Sequence, residues 1–167
     1  MNILPDDYIA GLVDGEGCFS VSFRRDAKKD RKNSPSYFRW HANFSIVMRH
    51  DDHILLESVK ETLGVGNISY TGSTVRYQVQ NTDELVDTVA PFFTRHKLYG
   101  KKANDFELWK EAVAIIKRNK RKHLNQFPGV RGFVKVDWND IDLKRLDEIR
   151  DLMKEYKSER DKAFKWK

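Results

Sequence analysis

The stretch Tyr8-Ile9-Ala10-Gly11-Leu12-Val13-Asp14-Gly15-Glu16-Gly17 decides how the rest of the chain is read. Ile9, Leu12 and Val13 are apolar at helical spacing, while Ala10 and Gly11 add almost no side-chain bulk. Small residues in mid-helix let a second backbone approach closely. The second half, Asp14-Gly15-Glu16-Gly17, stops the helix with two glycines and leaves two carboxylates beside its end. An apolar helix, a close-packing notch and terminal acids point to a dimer seam with a metal site at its base.

Residues 9–17 resemble the signature of the LAGLIDADG homing endonucleases, Leu-Ala-Gly-Leu-Ile-Asp-Ala-Asp-Gly, almost position by position. Asp-Gly pairs are common turn formers on their own. A complete signature followed directly by a strand pattern is far more specific than a turn.

The 167 residues suffice for one well-packed domain and are few for two. With 40% hydrophobic and 34% charged residues the composition is globular with a heavily charged surface. Lys and Arg number 31 against 25 Asp and Glu, an excess of six (31 − 25) that favours a polyanionic partner. That excess belongs to the body of the chain. Residues 24–32 hold six basic side chains against two acidic, whereas residues 137–167 hold nine of each. One cysteine, Cys18, excludes an internal disulfide and suits a reducing interior. Asp6 and Asp7 stand where a secretion signal needs an apolar run, and no stretch approaches a membrane span. The expectation is an intracellular protein, of cytoplasm or organelle, neither secreted nor membrane-bound.

In chain order, Pro5, Asp6 and Asp7 open the first helix, and Gly15 and Gly17 close it. From Gly17 the period is two: Phe19, Val21 and Phe23 alternate with Cys18, Ser20, Ser22 and Arg24. Residues 25–35 read as a long charged loop. Alternation returns over 37–49, with Phe38, Trp40, Ala42, Phe44, Ile46 and Met48 on one face and Tyr37, Arg39, His41, Asn43 and Ser45 on the other. A helix capped by Asp51 or Asp52 follows, with Leu55, Leu56, Val59 and Leu63 inward and Gly64 at its end. Two short strands, 66–71 and 74–80, turn around Gly72, with Ile68, Tyr70, Val75, Tyr77 and Val79 inward. Thr82 opens a helix that Pro91 kinks or ends. A strong helix spans 101–120, and the last runs from Asn139 or Asp140 to about Phe164. This order reads as an α+β fold: an αββαββα unit over residues 1–123, and a C-terminal loop and helix extension, residues 124–167, packed on the same core. The resemblance covers roughly residues 4–109 and implies the same unit, with a saddle-shaped antiparallel DNA-binding sheet.

The signature occurs once, so the resemblance implies the single-motif type, a homodimer with Ile9, Ala10, Gly11 and Val13 at the interface. Glu16 aligns with the family's catalytic acid. It is expected to bind Mg²⁺ or Mn²⁺ together with the Gly15 carbonyl, since hard cations take few oxygen ligands and retained waters. Asp14 either braces the turn or touches the metal. The family's basic active-site residue falls among Lys97, Lys101 and Lys102, with Lys101 favoured. A position that holds glutamine in many relatives falls at Met48, a departure from the pattern.

The polar strand faces carry Ser20, Ser22, Arg24; Tyr37, Arg39, His41, Asn43, Ser45; Asn67, Ser69, Thr71; and Arg76, Gln78, Gln80. Arg, Asn and Gln without acids suit base edges in a major groove. Arg25, Lys28, Lys29, Arg31 and Lys32 suit phosphates. The reading is a site-specific double-strand DNA endonuclease of the intron-encoded kind, acting on a long, nearly palindromic target and leaving 3′ overhangs, with no small-molecule substrate. The alternatives are an RNA-binding intron maturase and a non-catalytic DNA-binding regulator on the same scaffold.

Overall fold

The computed structural model describes residues 3–27, 36–119 and 138–163, with side chains described over 3–24, 39–119 and 138–154. Helix α1 (Asp6–Glu16) runs without a break into strand β1 (Gly17–Ala27). Strand β2 (Ser36–Arg49), a 3₁₀ turn (His50–Asp52), helix α2 (His53–Leu63) and strands β3 (Asn67–Thr71) and β4 (Thr74–Val79) complete the first two-thirds of the unit. All pairings are antiparallel and the strand order is β1-β2-β4-β3. The αββαββα order expected from periodicity is the order observed, continuing through helices α3 (Thr82–Glu84), α4 (Ala90–Arg95), α5 (Lys102–Arg118) and α6 (Asp140–Ala163).

The sheet buries one face. Phe19, Val21, Trp40, Ala42, Phe44, Ile46, Val75, Tyr77 and Val79 are buried, and they are the alternate residues that period two selects. Helices α1, α2, α4 and α5 cover them with Ile9, Val13, Leu56, Val59, Phe93, Phe106 and Trp109. Phe19 sits at the centre, with ring centroids 5.1 Å from Phe44, 5.6 Å from Phe93, 5.4 Å from Phe106 and 5.0 Å from Trp109. Burying a ring of this size stabilises by roughly 2–3 kcal/mol before the aromatic contacts are counted. The Tyr77 hydroxyl donates to the Val65 carbonyl at 3.0 Å, and burial pushes its ionisation well above the usual phenol range. Phe23 and Tyr70 lie at the rims of this face and stay about half exposed. Tyr70 donates to the Glu57 carboxylate instead of entering the core.

Several local expectations change. Strand β1 extends through Arg25 to Ala27, so only 28–35 of the expected loop remains, outside the described residues. Asp51 and Asp52 form the 3₁₀ turn and make no side-chain cap on α2. Asn81, one residue before Thr82, supplies the cap, accepting from Asp83 N at 3.0 Å. The helix after it is not broken at Pro91. It widens into a π turn over Leu85–Val89, which accommodates the ring and missing N–H of Pro91 at the start of α4.

Asn139 caps α6 by accepting from Ile141 N at 3.0 Å. Buried Leu146, Ile149 and Met153 dock that helix, and Asp142 accepts from Arg118 and from Asn119 at the end of α5. Those donors hold the Asp142 carboxyl below the usual carboxylate range. The C-terminal loop expected from residue 124 to the start of the last helix lies outside the described residues as far as residue 137.

The joint between α1 and β1 has no space for a side chain. A Cβ on Gly17 would stand 2.5 Å from Val13 Cγ1 and 2.7 Å from Val13 O. The Gly17 backbone is ordinary extended chain (φ −69°), so glycine is required here by proximity alone. Gly17→Ala is expected to lower unfolding free energy by about 1–3 kcal/mol through overpacking, measured by urea denaturation. Gly11→Ala, where a Cβ meets nothing within 4 Å, should leave the isolated fold equally stable or firmer.

Candidate DNA-cleavage site

The last turn of α1 carries no basic residue, and its final carbonyls have no partner within the helix. Lys102, at the start of α5, supplies both the cation and the hydrogen bonds. Its Nζ donates to the Asp14 carbonyl at 3.0 Å and the Gly15 carbonyl at 2.8 Å. An ammonium at the negative end of a helix dipole is favourable on electrostatic grounds as well. Lys101, favoured from the sequence, is exposed and serves as the N-cap position of α5. One residue along a helix turns a side chain by about 100°, and that turn selects Lys102.

Asp14 braces the turn. Its carboxylate accepts from the backbone N–H of Tyr99 at 2.8 Å and of Gly100 at 3.1 Å. With its oxygens committed to these amides, Asp14 leaves Glu16 as the exposed carboxylate at the end of α1.

The interface assigned from the sequence is corrected. Ile9 and Val13 are 0% exposed and Ala10 is 5% exposed, all inside the unit's own core. The outward stripe is Tyr8, Gly11, Leu12 and Gly15, spaced i, i+3, i+4, i+7, with Tyr8 49% exposed and Leu12 half-buried. Gly11 alone of the four interface residues lies on it. A Cβ at either Gly11 or Gly15 would meet nothing within 4 Å, so at these two positions the stripe is bare backbone.

Strand register gathers most of the polar residues onto one face. Ser20 pairs with Asn43, Ser22 with His41 and Arg24 with Arg39; Ser45 pairs with Gln78, which also faces Asn67; Arg76 faces Ser69, and Thr71 faces Thr74. Arg24 Nε donates to Ser22 Oγ at 3.2 Å and so lies along the face. Gln80 falls just beyond β4 and donates to Gln78 at 3.4 Å. Depth divides these residues. Asn43 and Ser45, on the strand nearest the middle of the sheet, are buried and form a floor. Arg24, Arg39, Asn67, Thr71 and Arg76 are exposed and form the rim. Arg25 lies within β1 opposite Phe38, and Tyr37 within β2 opposite Asp26. Lys28, Lys29, Arg31 and Lys32 lie outside the described residues. Met48 is half-buried against the core and not on the polar face.

A hard divalent cation would find Glu16 and the Gly15 carbonyl on one unit, both oxygen donors of the type it prefers. The carbonyl already accepts from Lys102 and retains a second lone pair. Among the described residues no group of three or more His, Cys, Asp or Glu side chains could hold a metal. The donor set therefore fits half of a cation site, to be completed by oxygens from elsewhere.

A glycine-faced helix ending in one exposed carboxylate thus runs directly into an antiparallel sheet with a polar outer face. Residues 9–113 match the family model described as LAGLIDADG endonuclease, and the chain belongs to that family. A probable intron-encoded DNA endonuclease 1 of Mycosarcoma maydis is 35% identical over 97 residues, covering 58% of this chain and 32% of the relative. The structure is similar to I-SmaMI bound to an uncleaved DNA target in the presence of calcium ions, with a TM-score of 0.67, 23% identity, and coverage of 88% of this chain and 44% of that one. The I-SmaMI homing endonuclease bound to cleaved DNA gives a TM-score of 0.67, 24% identity and coverage of 87% and 42%. These structural likenesses establish the fold, and this chain spans under half of each protein it is compared with here.

Lys102→Met is expected to lower DNA-cleavage rate by about 100-fold or more, on the scale of losing one preorganised cationic donor. Lys101→Met should change it less than about threefold, an exposed-charge effect. Single-turnover cleavage at saturating protein measures both.

Proposed function

We propose that this chain is one half of a site-specific, Mg²⁺- or Mn²⁺-dependent DNA endonuclease, paired with a second copy across the outward stripe of α1. One observation carries the reading: the bare helix stripe Gly11–Gly15 ends at the single exposed carboxylate of the joint, Glu16, beside the polar sheet face. Two such helices crossing on a two-fold axis bring two Glu16 carboxylates and two Gly15 carbonyls to one centre. The relative from Mycosarcoma maydis and the DNA-bound I-SmaMI structures support a DNA substrate. In this reading the protein works inside the cell, in cytoplasm or an organelle. Among the described residues no helix is long and apolar enough to cross a membrane.

In this reading Glu16 and Gly15 hold the divalent cation, which supplies charge for the non-bridging phosphate oxygen and the leaving alkoxide. Lys102 keeps the helix end wound and places a positive charge where the phosphate arrives. The rim residues Arg24, Arg39, Asn67 and Arg76, with Gln78, read base edges, and the two copies read a nearly palindromic target. Each half cuts one strand.

Glu16→Gln should abolish cleavage of duplex DNA while leaving binding within about threefold, because it removes a ligand charge and little contact surface. Targets selected from a randomised duplex library in Mg²⁺ supply the substrate. Near wild-type nicking by the Gln variant would remove Glu16 from the metal.

Gly11→Leu should leave the fold of each unit intact and convert the dimer to monomer, since overpacking at a helix crossing costs about 1–3 kcal/mol at each of two symmetric positions. Sedimentation velocity reads this directly, and an unchanged dimer would place the seam elsewhere.

A further inference from the structure

Strand pairing divides the sheet into two parts. Strand β4 pairs with β2 only over residues 44–49, whereas β1 stays paired with β2 out to Ala27 and Ser36. From the Ser20–Asn43 pair outward, the ribbon is therefore two-stranded among the described residues. Its outward part carries Arg24 and Arg39, directly opposite each other on the polar face. A two-stranded ribbon is marginal in water unless a helix packs against it.

Trp40 lies four residues beyond the last β4 pair (44 − 40) and is still buried, at 6% exposed. Its cross-strand partner Phe23 covers part of the ring, with centroids 5.3 Å apart, but is itself 48% exposed. The guanidinium of Arg150, on α6, lies over the Trp40 ring at 5.5 Å from its centroid. Asp147 and Asp151 of the same helix hold that guanidinium at 2.8 and 3.1 Å. A cation over an indole face is attracted by the ring quadrupole, and more strongly where water is excluded.

The course of α6 brings Arg150 there. Asp142 ties the start of the helix to Arg118 and Asn119 at the end of α5. Arg145 then donates to Glu111, further back on α5, through Nε at 2.6 Å and Nη2 at 2.8 Å. These two ties run α6 antiparallel to α5 and carry it against β1. Leu146, Ile149 and Met153 bury their side chains in the common core on the way. The whole helix lies beyond residues 9–113, the part that matches the family model.

We propose that α6 braces the two-stranded end of the β1–β2 ribbon, with Arg150 on Trp40 as its contact with β2. Arg150 is then a positioning residue for Arg24 and Arg39, the pair next to Phe23 and Trp40. The brace stands on the packing; its effect on DNA recognition rests on the function proposed above. Arg24 is seven residues along β1 from Gly17 (24 − 17), or roughly 23 Å at about 3.3 Å per residue. Duplex DNA rises about 3.4 Å per base pair, so the braced pair meets bases about seven pairs outward of those nearest the joint.

Native-state amide hydrogen exchange of the DNA-free protein in graded denaturant tests the brace. Ladder amides of residues 21–24 and 39–42 should open together with those of 146–153, as a unit separate from residues 75–79. Outer rungs that stay protected after α6 has opened overturn the brace. Arg150→Ala should lower outer-rung protection about two- to tenfold, the scale of one cation on a ring, and leave residues 75–79 unchanged. Arg150→Lys keeps a cation over Trp40 and should recover part of that loss. A loss spread evenly over the sheet, or none, overturns the Arg150 contact. The wild-type exchange remains decisive if Arg150→Ala fails to fold.

On duplex targets selected from a randomised library, Arg150→Ala should relax base preference about two- to tenfold at the outer positions of each half-site. Preference near the centre, and the cleavage rate on the selected target, should stay within about twofold, since those sites are distant from Arg150. Relaxation equal at every position, or absent, overturns the positioning role. Outer rungs that open with α6 in a protein that selects no duplex retain the brace and remove the nuclease reading.

Discussion

One ammonium on two bare carbonyls sets the geometry on which the site depends. The C-terminal turn of α1 contains Gly15 and no basic side chain, with Gly17 directly after it, the composition of a helix end that frays. Lys102 reaches it from the start of α5, and Asp14 reaches back to the amides of Tyr99 and Gly100. These are reciprocal bonds between the same two segments: a side chain of each meets the backbone of the other. Together they fix the helix end within the reach of one side chain. Gly17 then starts β1 at once, pressed against Val13 so closely that no Cβ fits. Helix end, strand start and residues 99–102 are one joint, and Glu16 is the residue left pointing out of it.

That joint is stiff because α1 is held along its length by the core. Ile9 and Val13, one turn apart, are wholly buried against the aromatic cluster around Phe19 and Phe44. The same helix keeps Tyr8, Gly11 and Gly15 on its other side. A helix used on both faces must divide its residues by angle. Bulk goes to the core side, where burial stabilises the unit, and the minimum of bulk goes to the outer side, where a second backbone can lie close. The glycines cost α1 helical propensity of roughly 1 kcal/mol each, and the core contacts of Ile9 and Val13 offset it.

Element order and the two sheet faces were legible because period two and period 3.6 leave strong marks where apolar and polar residues alternate so regularly. The differences come from what a periodic pattern omits. An apolar stripe identifies a buried face but not what buries it, so Ile9, Ala10 and Val13 looked like an interface when they are core. Adjacent lysines differ by a rotation that depends on where a helix begins, and moving the start of α5 by one residue exchanges Lys101 for Lys102. Alternation likewise gives the face of Asn43 and Ser45 without their depth. Depth follows from which strand lies inside the sheet, and β2 has β1 on one side and β4 on the other. The contact of His96 with Asp7 links residues 89 positions apart in the chain, beyond the range of any local pattern.

Depth also governs how the polar face can change. The pleat separates it from the core, so a rim residue such as Arg76 or Asn67 can be replaced without touching Phe44 or Tyr77. The floor has no such freedom. Asn43 Oδ1 is buried without a hydrogen-bond partner among the described residues, and an unmet buried acceptor costs about 1–3 kcal/mol. A bulkier or charged residue at 43 would meet the same enclosure with a greater penalty. Ser45 is enclosed beside it, opposite Cys18 and Gln78. On the proposed reading, a change in the DNA sequence recognised comes from the long, exposed side chains around the floor. The pleat fixes the face on which each of these side chains lies, so on the proposed reading recognition can vary at the rim without altering the joint that carries Glu16.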